Sequence, residues 1–187
     1  MIVSDAVVIS GGKSSRMGRD KALLEFGGYP TMAEYQYRKL EKIFDNVYIS
    51  AKDDKFDFHS KLILDRYETS SPMVALASIG EQISDRAIFV LSVDTPMVDI
   101  ATIKQMLIEY ERSSTDILIA SSPNGTEPLC AIYSNKALRS AKELVSNKIH
   151  KLHTLLELSQ TKIYYFEDSS LFANLNTPEE YHRAIYT

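Results

Sequence analysis

Apolar residues along this chain fall into two rhythms, short unbroken runs and longer stretches spaced three or four apart. Asp5-Ala6-Val7-Val8-Ile9 is a run without polar alternation that ends at Gly11-Gly12, the pattern of a strand buried on both faces. Thr31-x-x-Glu34 is a capping-box pattern and predicts a helix to about Phe44, with Tyr35, Leu40 and Ile43 on its apolar side. Asn46 to Ser50 and Lys61 to Leu64 predict the next two strands. Pro72 suits a helix start, and Met73, Leu76, Ile79, Gln82 and Ile83 follow at helical spacing. Ala87 to Val93 carries the strongest strand signal and ends at Asp94-Thr95-Pro96. A helix from about Ile100 to Tyr110 with Ile103, Met106 and Leu107 inward is followed by a strand over Asp116 to Ala120. Beyond it, Pro128 to Tyr133 and Lys162 to Phe166 predict strands. Between these lie a helix around Lys136 to Val145 and a shorter one after His150, and a last helix starts near Pro178.

Repeated strand–helix–strand units imply an α/β fold, a mostly parallel sheet with helices on both faces in a Rossmann-like three-layer arrangement. Ligands in such folds bind at the carboxyl ends of the strands. Three segments are then placed to form a site: residues 10–21, Asp65 with its followers, and Asp94-Thr95-Pro96. The 187 residues are expected to form one domain, and a 44% hydrophobic content is enough for a core without staples. The single cysteine, Cys130, excludes an internal disulfide and any multi-cysteine metal site. No apolar run approaches the roughly 20 residues needed to cross a bilayer, and the expectation is a cytoplasmic protein without a membrane partner. Twenty-one basic against 25 acidic residues give a net charge of −4, which argues against nucleic acid as a partner.

That average hides a local reversal. Residues 10–21 (Ser-Gly-Gly-Lys-Ser-Ser-Arg-Met-Gly-Arg-Asp-Lys) contain three glycines and four basic residues against one acid. Glycines let backbone N–H groups approach a ligand, successive N–H groups suit phosphate oxygens, and arginine and lysine add charge. The combination describes a polyphosphate binder, or else a basic surface turn. It is not a Walker P-loop, because the first glycine that motif needs is Val7; nor is it a dinucleotide fingerprint, because Gly11 and Gly12 are adjacent.

Ile9-Ser-Gly-Gly-x3-Arg16-Met17-Gly18-x-Asp20-Lys21-x-Leu23 closely resembles the signature of the nucleotidyltransferases with a GT-A-like fold, and within them the molybdenum cofactor guanylyltransferase family. Glu25-Phe-Gly-Gly-Tyr-Pro30, Asp94-Thr-Pro96, Pro128-Leu129 and Asn174-Leu-Asn176-Thr-Pro178 resemble further motifs of that family, so that the likeness runs along nearly the whole chain. The resemblance implies transfer of GMP from GTP to molybdopterin carrying molybdenum, with release of pyrophosphate. It implies that Arg16 and Lys21 hold the triphosphate and that Asp94 binds Mg²⁺. Ile9, Ser10, Gly11, Gly12, Ser50 and Asp65 would contact the nucleotide, and Asn174 and Asn176 would lie near the acceptor phosphate. The N-terminal part would thus bind nucleotide and the C-terminal part the acceptor.

Alternatives remain beside this reading. Asp94 and Asp65 also suit ordinary turns, and Asn174 and Asn176 also suit caps before the Pro178 helix. Ser50 stands where bacterial relatives carry asparagine, keeping a hydroxyl but losing the amide donor. Ser10 replaces an alanine, and Ser71-Pro-Met-Val-Ala75 replaces a glycine-containing stretch. Other nucleotidyltransferase chemistry (CTP to molybdopterin, or a nucleotide to a sugar or polyol phosphate) shares the fold, as does a non-catalytic nucleotide-binding adaptor. Molybdopterin as acceptor also suggests transient complexes with proteins that deliver or receive the cofactor. His150 and His153 have no third partner in the sequence and read as a surface pair, and Cys130 as a core residue.

Overall fold

The computed structural model describes residues 3–11, 20–67, 69, 71–83 and 85–185. Strand β1 (Asp5–Ile9) is buried along its whole length. Helix α1 (Met32–Leu40) follows, capped by the Thr31 hydroxyl, which accepts from the Glu34 N–H. Next come β2 (Asn46–Ala51), β3 (Lys61–Leu64), α2 (Pro72–Gln82) and β4 (Ile88–Ser92). Proline at the first turn and the Ser71 hydroxyl on the Val74 N–H start α2 together. The remainder is α3 (Ile100–Glu111), β5 (Ile117–Ser122), β6 (Gly125–Tyr133), α4 (Asn135–Ser146), α5 (Leu152–Leu158), β7 (Thr161–Tyr165) and α6 (Pro178–Ile185).

The strands form one seven-stranded sheet in the order β3-β2-β1-β4-β6-β5-β7. Only β6 runs against its neighbours β4 and β5. It does so because β5 and β6 are joined by a tight hairpin at Ser122–Gly125 rather than by a helix. Gly125 has φ +122° there, a conformation closed to residues with a side chain. One face of the sheet packs on α1 and α3 through Val8, Leu40, Phe89, Ile103 and Leu118. The other packs on α2, α4 and α5 through Val7, Leu76, Val90, Leu138 and Leu155. This is the expected three-layer architecture. Connections leave β1 toward β2 and β3 on one side, and β4 lies on the other. The point where the strand order reverses therefore falls between β1 and β4, at their carboxyl ends, where the sheet opens a crevice.

Helix α1 departs from expectation in a way that bears on the site. It ends at Leu40, followed by turns, and its buried residues include Gln36 and Lys39. Two polar groups occupy core-facing positions because their partners are backbone carbonyls of the turn after β4, described next.

Candidate active site

Four strand ends supply the site. Ser10, just past β1, donates its N–H to the Ser50 carbonyl at 2.8 Å, and Val93 donates to the Ile9 carbonyl at 3.0 Å, so the exits of β1, β2 and β4 are tied together. Ser10 and Ser50 are both buried. At the end of β3, Asp65 lies beside β2, with the Ser50 hydroxyl 3.4 Å from its carboxylate. Burial lifts the Asp65 carboxyl above the usual range, and the Ser50 hydroxyl and Lys52 pull it partly back. Ser50 and Asp65 thus form one polar pair rather than two separate strand ends.

Lys21 opens a short 3-10 turn (Lys21–Leu23), whose first free N–H, from Ala22, is taken up by the Asp20 carboxylate. Asp20 is itself held by Lys55 at 2.5 Å. The Lys21 ammonium then reaches 2.7 Å to the Asp94 carboxylate and 2.8 Å to the Asn176 side-chain oxygen. Asp94 accepts from the Ser92 hydroxyl at 2.5 Å through its other oxygen, and its backbone carbonyl accepts from the Leu175 N–H at 2.9 Å. The turn carrying Asp94 is braced from beneath. Gln36 donates to the carbonyls of Ser92 and Thr95, each at 3.1 Å. The Lys39 ammonium donates to the carbonyls of Pro96 at 3.0 Å and Val98 at 2.6 Å. Burial lowers the Lys39 amine to about 7, despite the nearby Cys130 and Asp99, which favour its charge.

The C-terminal segment is fixed in turn by Glu180, whose carboxylate accepts from the N–H groups of Asn176 and Thr177 at 2.8 and 2.9 Å. Asn174 and Asn176 line a cavity of about 780 Å³, together with Met97, Glu127, Phe172 and Arg183. Among the sequence-derived candidates, Lys21, Asp94 and Asn176 meet directly, and Ser50 and Asp65 form their pair. Asn174 lines the cavity and is exposed. Ile9, Ser10 and Gly11 sit at the mouth of β1; Arg16 and Gly12 lie outside the described residues. Gln36, Lys39, Glu127 and Glu180 were not candidates. For Gln36 and Lys39 the available signal was a polar residue at a core-facing position of an amphipathic helix. For Glu127 it was a proline following it inside a strand, which marks a bulge or an edge.

Residues 6–163 match the MobA-like NTP transferase domain. A curated protein of Campylobacter jejuni named molybdenum cofactor guanylyltransferase is 40% identical over 181 residues, covering 96% of this chain and 94% of that protein. The chain belongs to the MobA-like NTP transferase family. It is a nucleotidyltransferase. The crystal structure of molybdopterin-guanine dinucleotide biosynthesis protein A from Archaeoglobus fulgidus has the same fold, with a TM-score of 0.83, 20% identity and 97% of each chain covered. A Mycobacterium tuberculosis protein crystallised with manganese also shares the fold, at a TM-score of 0.64, 16% identity and 98% of each chain covered.

The donor set suits a hard divalent cation. The Asp94 carboxylate and the Asn176 amide oxygen already converge on one cationic group, the Lys21 ammonium. Among the described residues no group of three or more His, Cys, Asp or Glu could enclose a metal. A divalent cation of this kind can be held by one or two carboxylates, with phosphates and water as its remaining ligands. The two candidate histidines do not form a surface pair: His153 is exposed and lies 3.0 Å from Glu157 on its own helix, whereas His150 precedes that helix and its Nδ1 is buried without a hydrogen-bond partner among the described residues. Cys130 is buried, and burial raises its thiol far above the ordinary range, as expected of a core residue.

Proposed function

We propose that the chain transfers GMP from GTP to the terminal phosphate of molybdenum-carrying molybdopterin, forming the guanine dinucleotide cofactor and releasing pyrophosphate. The observation that carries this reading is the meeting of Lys21, Asp94 and Asn176 at the carboxyl ends of β1 and β4, beside a cavity large enough for a pterin. The N-terminal strand ends form the nucleotide side, and the 124–127 and 170–183 segments form the acceptor side.

In this reading the acceptor phosphate oxygen attacks the α-phosphorus of GTP, and the bond to the bridging oxygen of pyrophosphate breaks. Such chemistry needs alignment and charge neutralisation more than covalent help. Lys21 leaves its resting contacts to neutralise charge on the α-phosphate and the departing pyrophosphate, and Arg16 supports it. Asp94 and Asn176 would hold Mg²⁺, which would supply screening of the charge on the phosphate oxygens. The backbone of Ile9 to Gly12 supports the nucleotide, and Ser50 with Asp65 faces its base or ribose. Gln36 and Lys39 keep Asp94 in place by fixing the carbonyls around it.

The deciding experiment measures pyrophosphate release from GTP, CTP, ATP or UTP with Mg²⁺ and molybdopterin. Turnover with GTP is expected; turnover with CTP and none with GTP would overturn the guanylyl assignment. No release with any nucleotide, combined with nucleotide binding, would support an adaptor instead.

A further inference from the structure

Strand β6 carries an irregularity aimed at the acceptor cavity. Against β5, Ala120 pairs with Glu127 but Ile119 pairs with Ala131, so residues 128–130 bulge out of that ladder. On the opposite edge Cys130 already pairs with Leu91 of β4. Pro128 has no N–H to lose at such a point, and its carbonyl accepts from the Tyr133 hydroxyl at 2.7 Å. Tyr133 is completely buried, so the bulge is braced from inside the core. Bulges of this kind redirect a side chain.

The side chain at the start of this bulge is Glu127. It is half-buried on the wall of the 780 Å³ cavity that also contains Asn174 and Asn176. Among the described residues it accepts no hydrogen bond and forms no ion pair. Its carboxyl is held above the usual range, first by burial and then by Asp94 nearby. A partly desolvated carboxylate facing a second carboxylate is unfavourable until a donor arrives. A ligand that brings N–H groups would supply the missing partner. The lining of the same cavity includes the apolar side chains of Met97, Leu171 and Phe172, suited to a flat ring.

An acceptor of the class proposed above contains such a group. The pyrimidinone ring of a pterin presents an exocyclic 2-amino group next to a ring N–H, two parallel donors that a carboxylate can take with both oxygens. We infer that Glu127 reads the amino–N–H edge of the acceptor's pterin and so selects the acceptor. The inference rests on the molybdopterin reading of the cavity. It separates two tasks in one cleft: the Lys21–Asp94–Asn176 cluster handles phosphates, and the β6 bulge handles the ring.

The test uses the full chain with Glu127→Gln, which removes the charge and turns half of the acceptor group into a donor. The KM for molybdopterin is expected to rise roughly 10- to 100-fold, the range for losing hydrogen bonds to a charged group. The kcat, the affinity for GTP with Mg²⁺, and the melting temperature should stay unchanged. Glu127→Asp, with the charge kept and the reach shortened, should recover part of the loss. In a fluorescence binding assay the wild type should prefer pterin over lumazine, which has an oxygen in place of the 2-amino group, and Glu127→Gln should not. An unchanged KM and an unchanged pterin preference in Glu127→Gln would overturn the assignment. So would weakened Mn²⁺ binding to the GTP complex with the acceptor unaffected, which would make Glu127 a metal ligand. If the wild type fails to use molybdopterin, the proposed reaction falls; retained discrimination of pterin from lumazine that depends on Glu127 would still support the residue's role.

Discussion

Lys39 donates from a buried position to two carbonyls of the turn that carries Asp94, and its amine is lowered to about 7 by burial. In the unfolded chain the same amine keeps its proton up to the ordinary lysine range. Between those two values the unfolded state binds more protons, so this residue makes stability rise with pH, by at most about 1.4 kcal/mol per pH unit. Below pH 7 the full cost of burying the charge is present. Lys39→Met should therefore remove a positive slope, and urea unfolding of both proteins at pH 7 and pH 9 measures it. A wild type whose stability relative to Lys39→Met does not grow over that interval would refute the lowered amine. Above it, the proposed reaction assigns Asp94 and Lys21 to the substrate rather than to the fold. Asp94→Asn and Lys21→Met should each reduce turnover by about 10²-fold or more, with the thermal transition nearly unmoved. These residues were legible in the sequence because glycines, basic residues and an Asp-Thr-Pro strand end cluster where ligands bind. Gln36 and Lys39 were not, because a helix face shows apolar spacing and says nothing about carbonyls reaching it from a distant turn.

At the scale of elements, most of the architecture could be read from period alone. The core runs of β1, β4 and β5 are buried without exception, and such runs have no other stable place in a sheet covered on both sides. The reversal of β6 was less visible. It depends on the four residues Ser122 to Gly125 and on a glycine at φ +122°, local chemistry that hydrophobic spacing does not report. Packing between α2 and α4 has a similar hidden requirement. A Cβ on Gly80 would lie 2.9 Å from the Leu138 Cβ and 3.0 Å from its carbonyl oxygen. Alanine usually favours a helix over glycine by about 1 kcal/mol. Here the contact is with backbone, which cannot swing away, and overpacking of this kind costs roughly 1–3 kcal/mol. Gly80→Ala should consequently lower the melting temperature despite its better helix propensity, while leaving the KM for GTP alone. A stabilised variant would show that the two helices can separate freely.

For the whole molecule, a net charge of −4 coexists with four basic residues gathered within residues 13–21 and with Asp65, Asp94 and Glu127 on the carboxyl edge of the sheet. Lys21 beside Asp94 brings both signs together at the sheet edge, an arrangement that suits a triphosphate with its cation. Nucleotide binding should stabilise the fold, by about 2.7 kcal/mol at 100 times the dissociation constant. Thermal shifts with GTP and Mg²⁺ should exceed those with CTP, and equal shifts would leave base selection outside the Ser50–Asp65 pair. Among the described residues no helix is long and apolar enough to cross a membrane.

Lys21 and Asn176 touch although 155 positions separate them in the chain, and Lys21 and Asp94 although 73 do. Contacts of such high sequence separation are late events in folding, since long loops must close before they form. A ribosome-bound chain that has released β1 to β5 can already lay down much of the sheet, but it has no Asn176 to complete the cluster and no Leu175 N–H to hold the Asp94 carbonyl. In the proposed reading, catalytic competence thereby waits for a segment made after the strands of the sheet. A chain clipped between β7 and Asn176 would, in that reading, keep all seven strands and lose a part of the site that consumes GTP.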